Sequence, residues 1–187
     1  MEKVEDLKKK RAIVDILSTA KSKYVIGTIL LSLMGIALPR IFHILAGSSA
    51  GAMFLPMHIA VLIAALVFGV RSSSVVASVS VIFSYLLTGM PTMERLPYML
   101  AELLIYAVLL GLLNQKCSKY ISLVLTMIIG RIFYAGVLFA AVNLLELSAY
   151  GISVMESLKA GYPGIILQLI CIPLIAIKMQ KGLKIND

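Results

Sequence analysis

Ionisable and amide side chains stand out in this sequence because almost everything around them is apolar. Glu102 lies in PYMLAELLIYAVLLGLL, Arg131 in MIIGRIFYAGVLFAAV, His58 in FLPMHIAVLIAALVFG and Gln168 in PGIILQLICIPLIAI. Arg40 and His43 fall at the end of another apolar run, in LPRIFH, and Arg95 stands just ahead of Pro97. Such groups are costly in an apolar setting, so they pair with one another, face a cavity or mark a substrate path. Helical spacing gathers them. Arg95, Tyr98 and Glu102 share one face, Arg131 and Tyr134 another, and Gly164 and Gln168 a third. Asn143 closes the run that contains Arg131. Two signs of charge, aromatic rings and an amide suit a small polar heterocycle: rings stack, and polar edges take hydrogen bonds.

Each residue also has a quieter reading. Glu102 and Arg131 can neutralise each other as a structural pair. Gln168 can bond a neighbouring backbone, His58 can cap a helix start and Asn143 a helix end. His43 fits a membrane interface, and Arg40 can snorkel to headgroups. Tyr98, Tyr134 and Tyr162 fit an interfacial aromatic belt. The shared location of the group is what favours a binding site.

The elements that must position these residues are membrane helices. Of the 187 residues 60% are hydrophobic and 14% charged, and mean hydropathy is +1.00; a soluble domain carries about 25% charged residues. Six runs, 24–45, 53–70, 75–90, 97–113, 120–145 and 163–177, approach the length that crosses a bilayer, about 20 apolar residues. None alternates as barrel strands do. The expectation is an all-α integral membrane protein, one domain over 1–187. Residues 1–22 form an interfacial, amphipathic or solvated N-terminal segment, 23–178 a six-helix bundle, and 179–187 a tail. The charged start MEKVEDLKKKR is unlike a cleavable leader. The loop LAGSSAGA separates the first two helices, and a short helix is expected around 152–159.

Charge sets orientation. With both termini cytosolic, thirteen of the 17 basic residues fall on the inner side, leaving Arg40, Arg95 and Lys159 outside and Arg131 within a helix. That is the cytoplasmic bias of Lys and Arg in membrane proteins. The net charge of +8 therefore serves topology and anionic lipid, not nucleic acid. Depth follows from helical rise. Glu102 and His58 lie roughly 8 Å and Gln168 roughly 10 Å below the outer end, with Arg131 near mid-membrane. Polar groups of five helices thus gather in the outer half, as an outward pocket requires; a pore would need polar lining throughout. The small residues Ser74, Ala77, Ser78, Ser80 and Ser84 read as a packing stripe.

No GxxxxGK[ST] is present for ATP and no HExxH or Cys/His cluster for zinc. Cys117 and Cys171 stand apart. No catalytic, metal or cofactor role is expected.

Together, LPRIFH, FLPMHIAVLIAALVFG, LLTGMP, AELLIYAVLLGLL, GRIFYAGV and GYPGIILQLICIP, in this order, run through nearly the whole chain. In them the chain resembles the substrate-binding S-components of energy-coupling factor (ECF) transporters of bacterial cell membranes. The resemblance implies six helices with cytosolic termini. It also implies a vitamin site near the outer face, built from the first outer loop and helices 4–6. Partners would be a transmembrane coupling subunit and two cytosolic ATPases, with inward release by toppling in the bilayer. Vitamins and nucleobase-like precursors are the implied ligands. The family's coupling contact uses small residues on helix 1, often two alanines four apart; here Thr28 and Ser32 are nearest, followed by Gly35. Two other readings stay open: a membrane scaffold of the MreD kind, and a stand-alone facilitator.

Overall fold

The computed structural model describes the backbone of residues 2–143 and 154–183, and side chains within 21–45, 47, 54–137, 139–140 and 161–183. Among the described residues every element is a helix: α1 (Glu2–Phe54), α2 (Pro56–Phe68), α3 (Val70–Thr88), α4 (Leu96–Leu113), α5 (Lys119–Asn143) and α6 (Val154–Leu183). Five stretches are long and apolar enough to cross a membrane: Lys21–Leu45, Val70–Thr88, Leu96–Leu113, Lys119–Val137 and Gly161–Leu183. They are apolar on both sides. Ile29, Leu33, Leu86, Ile128, Ile132 and Ile170 point outward, an arrangement stable against lipid tails and not against water. The chain is therefore read as a multi-pass membrane protein.

The sixth helix is different. α2 has 13 residues, about 20 Å at helical rise, less than the hydrocarbon core of about 30 Å. All of its residues but Ile59 are buried, and it packs against α1, α3, α4 and α6. A helix hydrophobic all round belongs in an interior, and IAVLIAALV has no polar face to show. Small side chains at Ala60, Ala64 and Ala65, each 0% exposed, let the surrounding helices come close.

Two corners hold α2 in place. At its C-terminus Gly69, φ 79°, turns the chain directly into α3, a conformation open to glycine. There the Leu66 carbonyl accepts from Gln180 Nε2 at 2.8 Å and from Asn114 Nδ2 at 3.2 Å. At its N-terminus Leu55 is left-handed, φ 47°, ψ 53°, and Pro56 opens the helix. Gln168 Nε2 donates to the carbonyls of Phe54 at 3.0 Å and Leu55 at 3.3 Å, binding that corner to α6. The termini of α2 thus define two ends of the bundle. The upper end bears the α1–α2 corner and the α3–α4 connection; the lower end bears the Gly69 turn, the α4–α5 turn and the end of α6.

Several boundaries differ from the sequence expectation. LAGSSAGA is not a free loop. Helix continues to Phe54 around a single break at Gly47, φ 79°, with Pro39 inside it. Of the short helix expected around 152–159, the described part from Val154 runs straight into α6, and α6 extends past 178 to Leu183, with Gln180 bonded to Leu66 O. The side chains of 4–20 and the segments 144–153 and 184–187 lie outside the described residues.

Candidate functional site

The upper half of the bundle contains one dense polar cluster, and its centre is Glu102 on α4. Three groups converge on a single carboxylate oxygen, Oε1. Arg131 Nη1 from α5 is 3.0 Å away. The Tyr106 hydroxyl donates from 3.2 Å, one turn along α4. His58 Nε2 from α2 lies at 3.7 Å, beyond hydrogen-bond reach yet close enough for charge to matter. The His58 and Tyr106 rings meet edge to face, centroids 5.4 Å apart. Glu102 is 5% and His58 3% exposed.

Local sequence explains how three helices meet here. Glu102 and Tyr106 are i and i+4 on α4, hence on the same face. The Tyr106 ring lies over Gly130 of α5, where a methyl group would collide with it. Glycine at 130 lets α5 approach that ring, and Arg131, the next residue, then reaches Glu102. Tyr134 follows one turn further, 8% exposed, its hydroxyl in the electrostatic field of Glu102, Arg131, Arg95 and Tyr98. Along α4, Arg95 is exposed at the helix start, and Tyr98 is buried at 8%. Polar and aromatic groups therefore descend from the α3–α4 end to the carboxylate.

Gln168 is 1% exposed. Its amide nitrogen is engaged at the α1–α2 corner, the backbone reading anticipated for it. Its Oε1 and both His58 ring nitrogens have no hydrogen-bond partner. Buried polar atoms are nearly always partnered. Among the described residues Ser84 Oγ, Asn114 Oδ1 and Thr126 Oγ1 are also without a partner, but only Gln168 and His58 bring such atoms to the α1–α2 corner beside Glu102.

The expected site residues divide into groups. His58, Tyr98, Glu102, Arg131, Tyr134 and Gln168 sit within the upper half on α2, α4, α5 and α6. Arg95 lies at its edge. Arg40 is exposed and His43 half-buried on the upper part of α1; neither has a contact that joins it to the Glu102 cluster. The Asn143 side chain lies outside the described residues. Tyr106 and Gly130 escaped the sequence reading. An i+4 relation to a buried glutamate and a glycine next to a buried arginine were the available signals.

Of the three α1 positions expected at a coupling contact, Ser32 and Gly35 are turned inward and Thr28 is half-buried. Ser32 is 6% exposed, and its carbonyl accepts from Ser80 Oγ of α3 at 3.5 Å. Gly35 packs so closely on Ser80 that a side chain there would overlap it. Thr28 is half-buried and donates to Tyr24 O at 2.7 Å. Ser32 and Gly35 are thus internal packing positions, while Val25, Ile26, Ile29, Leu30 and Leu33 form the outward face. In the α3 stripe, Ala77, Ser80 and Ser84 are buried, whereas Ser74 and Ser78 are half-buried. Ser73 adds a bond to Ala107 O of α4 at 3.2 Å.

The lower half also has polar groups, among them a buried unpartnered oxygen, Asn114 Oδ1. Ser73, Ser122, Gln180 and Asn114 each hydrogen-bond a backbone carbonyl. Among the described residues, no group of three or more His, Cys, Asp or Glu is placed to hold a metal ion. Compared with known proteins, no family model, no curated protein and no solved structure matches this chain.

Proposed function

We propose that this protein is the substrate-capturing membrane subunit of an importer of the ECF kind. It takes up a small water-soluble vitamin or heterocyclic precursor at the outer face of a bacterial cell membrane. The supporting observation is the Glu102 cluster: four helices bring charge, aromatic rings and an amide together at one end of the bundle, with unpartnered acceptors among them. A scaffold has no need of a buried ion pair, since apolar replacements would serve it as well or better. In this reading the upper end faces outward, both termini are cytosolic and α2 counts as a sixth, shortened crossing. The basic residues agree: Lys21, Lys23, Arg71, Lys116, Lys119, Lys178 and Lys181 all cluster at the lower end, where a cytoplasmic bias would put them.

Transport then requires partners. Nothing in the chain binds ATP by a recognisable motif, so energy comes from cytosolic ATPases acting through a transmembrane coupling subunit. Since Ser32 and Gly35 are covered by α3, the coupling subunit meets the outward apolar face of α1. The test is a thermal-shift screen of the purified chain against vitamins and nucleobases, followed by co-purification of the tagged chain from its native membrane. Stabilisation by one compound together with recovery of ATPase subunits supports the proposal. Stabilisation without ATPases supports a stand-alone facilitator, and no stabilisation at all removes the binder reading.

A further inference from the structure

The unpartnered atoms of the cluster carry more information than its charges. Gln168 can be oriented without ambiguity, because its Nε2 donates to two carbonyls, Phe54 O and Leu55 O, a role its oxygen cannot fill. Oε1 is therefore an acceptor, buried at 1% exposure and without a donor. His58 is tied to the same corner: its backbone N–H donates to Leu55 O at 3.0 Å, the carbonyl Gln168 also uses. In the neutral ring one nitrogen carries hydrogen and the other a lone pair. Nε2 faces the Glu102 carboxylate at 3.7 Å, which favours N–H on that side and leaves Nδ1 as a second unpartnered acceptor. Leu55, between α1 and His58, is left-handed, a conformation costly for a residue with a side chain. Backbone strain of this kind concentrates at ligand clamps.

Charge does not call for an anion. Arg131 already faces Glu102 at 3.0 Å, so the pair is balanced. A carboxylate or phosphate would bring further acceptors to a place that has acceptors in surplus. From these observations we infer that the ligand presents paired N–H donors, as in a primary amide or an amino-substituted ring, to Gln168 Oε1 and His58 Nδ1. The inference rests on the capture reading above and narrows it to uncharged, donor-bearing ligands.

The experiment uses the purified full chain and two matched pairs of probes. Adenine and nicotinamide carry the amino N–H donors; purine lacks the amino group and nicotinate replaces the amide with a carboxylate. Adenine and nicotinamide are expected to bind at least about tenfold more tightly than their partners, and His58→Phe or Gln168→Leu to shrink that preference to about twofold or less. Phenylalanine keeps the ring packing on Tyr106, so His58→Phe decides the matter if Gln168→Leu does not fold. Equal or tighter binding of purine and nicotinate overturns the donor assignment and leaves capture standing. A full preference retained in His58→Phe does the same. Failure of every vitamin and nucleobase to bind removes both.

Discussion

Arg131 Nη1 of α5 stands 3.0 Å from Glu102 Oε1 of α4, with the two side chains 11% and 7% exposed. This contact joins two neighbouring membrane helices, and it sits beside His58 of α2. A buried pair contributes little net stability when intact, yet removing one member is costly because the other charge is left behind. Arg131→Ala is therefore expected to lower stability by about 3 kcal/mol and to abolish ligand binding. Glu102→Gln keeps the shape and should fold, with a stability loss of its own because Arg131 loses its counter-charge, and with weakened binding because His58 and Arg131 lose the group that holds them. The double change Glu102→Gln with Arg131→Gln should regain much of the stability lost in Arg131→Ala. Thermal unfolding in detergent measures the first effect and ligand titration the second. If neither single variant folds while the neutral double variant does, the pair is structural.

The Tyr106 ring of α4 lies against Gly130 of α5, with no room for a methyl group between them. Gly130→Ala is expected to cost about 1–3 kcal/mol, the range for overpacking, and to weaken binding by displacing Arg131. Tyr106→Phe keeps the ring and removes only the bond to Glu102, a loss of about 1.5–3 kcal/mol for a charged acceptor. Unfolding midpoints of the two variants check this; a neutral Gly130→Ala contradicts the packing.

Asn114 and Gln180 share one acceptor, the Leu66 carbonyl. Each deletion is expected to cost about 1 kcal/mol, and the two together more than the sum, because only the double variant leaves Leu66 O bare. A double-mutant cycle on thermal stability reads this directly. Strict additivity would mean that the lower corner of α2 is held by something else.

Gly35 abuts Ser80 across the α1–α3 interface. Gly35→Ala should destabilise, and Ser80→Gly added to it should restore a good part of the loss, since the overlap is with the Ser80 side chain. Substitution of Ile29 or Leu33 on the outward face should leave stability nearly unchanged and, if that face meets the coupling subunit, reduce recovery of partners.

Orientation has its own test. Cys117 is exposed in the α4–α5 turn and, in the proposed topology, lies in the cytosol. In a Cys171→Ser background, a membrane-impermeant maleimide should label Cys117 only after cells are permeabilised. Labelling of intact cells would invert the bundle.

Much of this was readable from particular residues. Runs such as LLIYAVLLGLL announce membrane helices by length alone, and Glu102 and Arg131 stand out as charges within them. The place of α2 was harder. Its run looks like one more crossing, although the lack of any polar or bulky outward face marks it as a central helix. Pairing across helices depends on rotation about each axis, which apolar residues facing lipid and apolar residues facing protein do not distinguish. For that reason Ser32 and Gly35 read as a free surface while the fold uses them against Ser80. Tyr106 was hidden for the same reason, as one aromatic among many apolar neighbours.

The central claim is that the Glu102 cluster holds a ligand. The direct measurement is a calorimetric titration of the best-stabilising compound from the vitamin and nucleobase screen into the parent protein and into folded Glu102→Gln. A loss of affinity of about tenfold or more is predicted, because Glu102 holds Arg131, Tyr106 and His58 in place around the site. Unchanged affinity in Glu102→Gln would contradict the account and move the binding site elsewhere in the bundle.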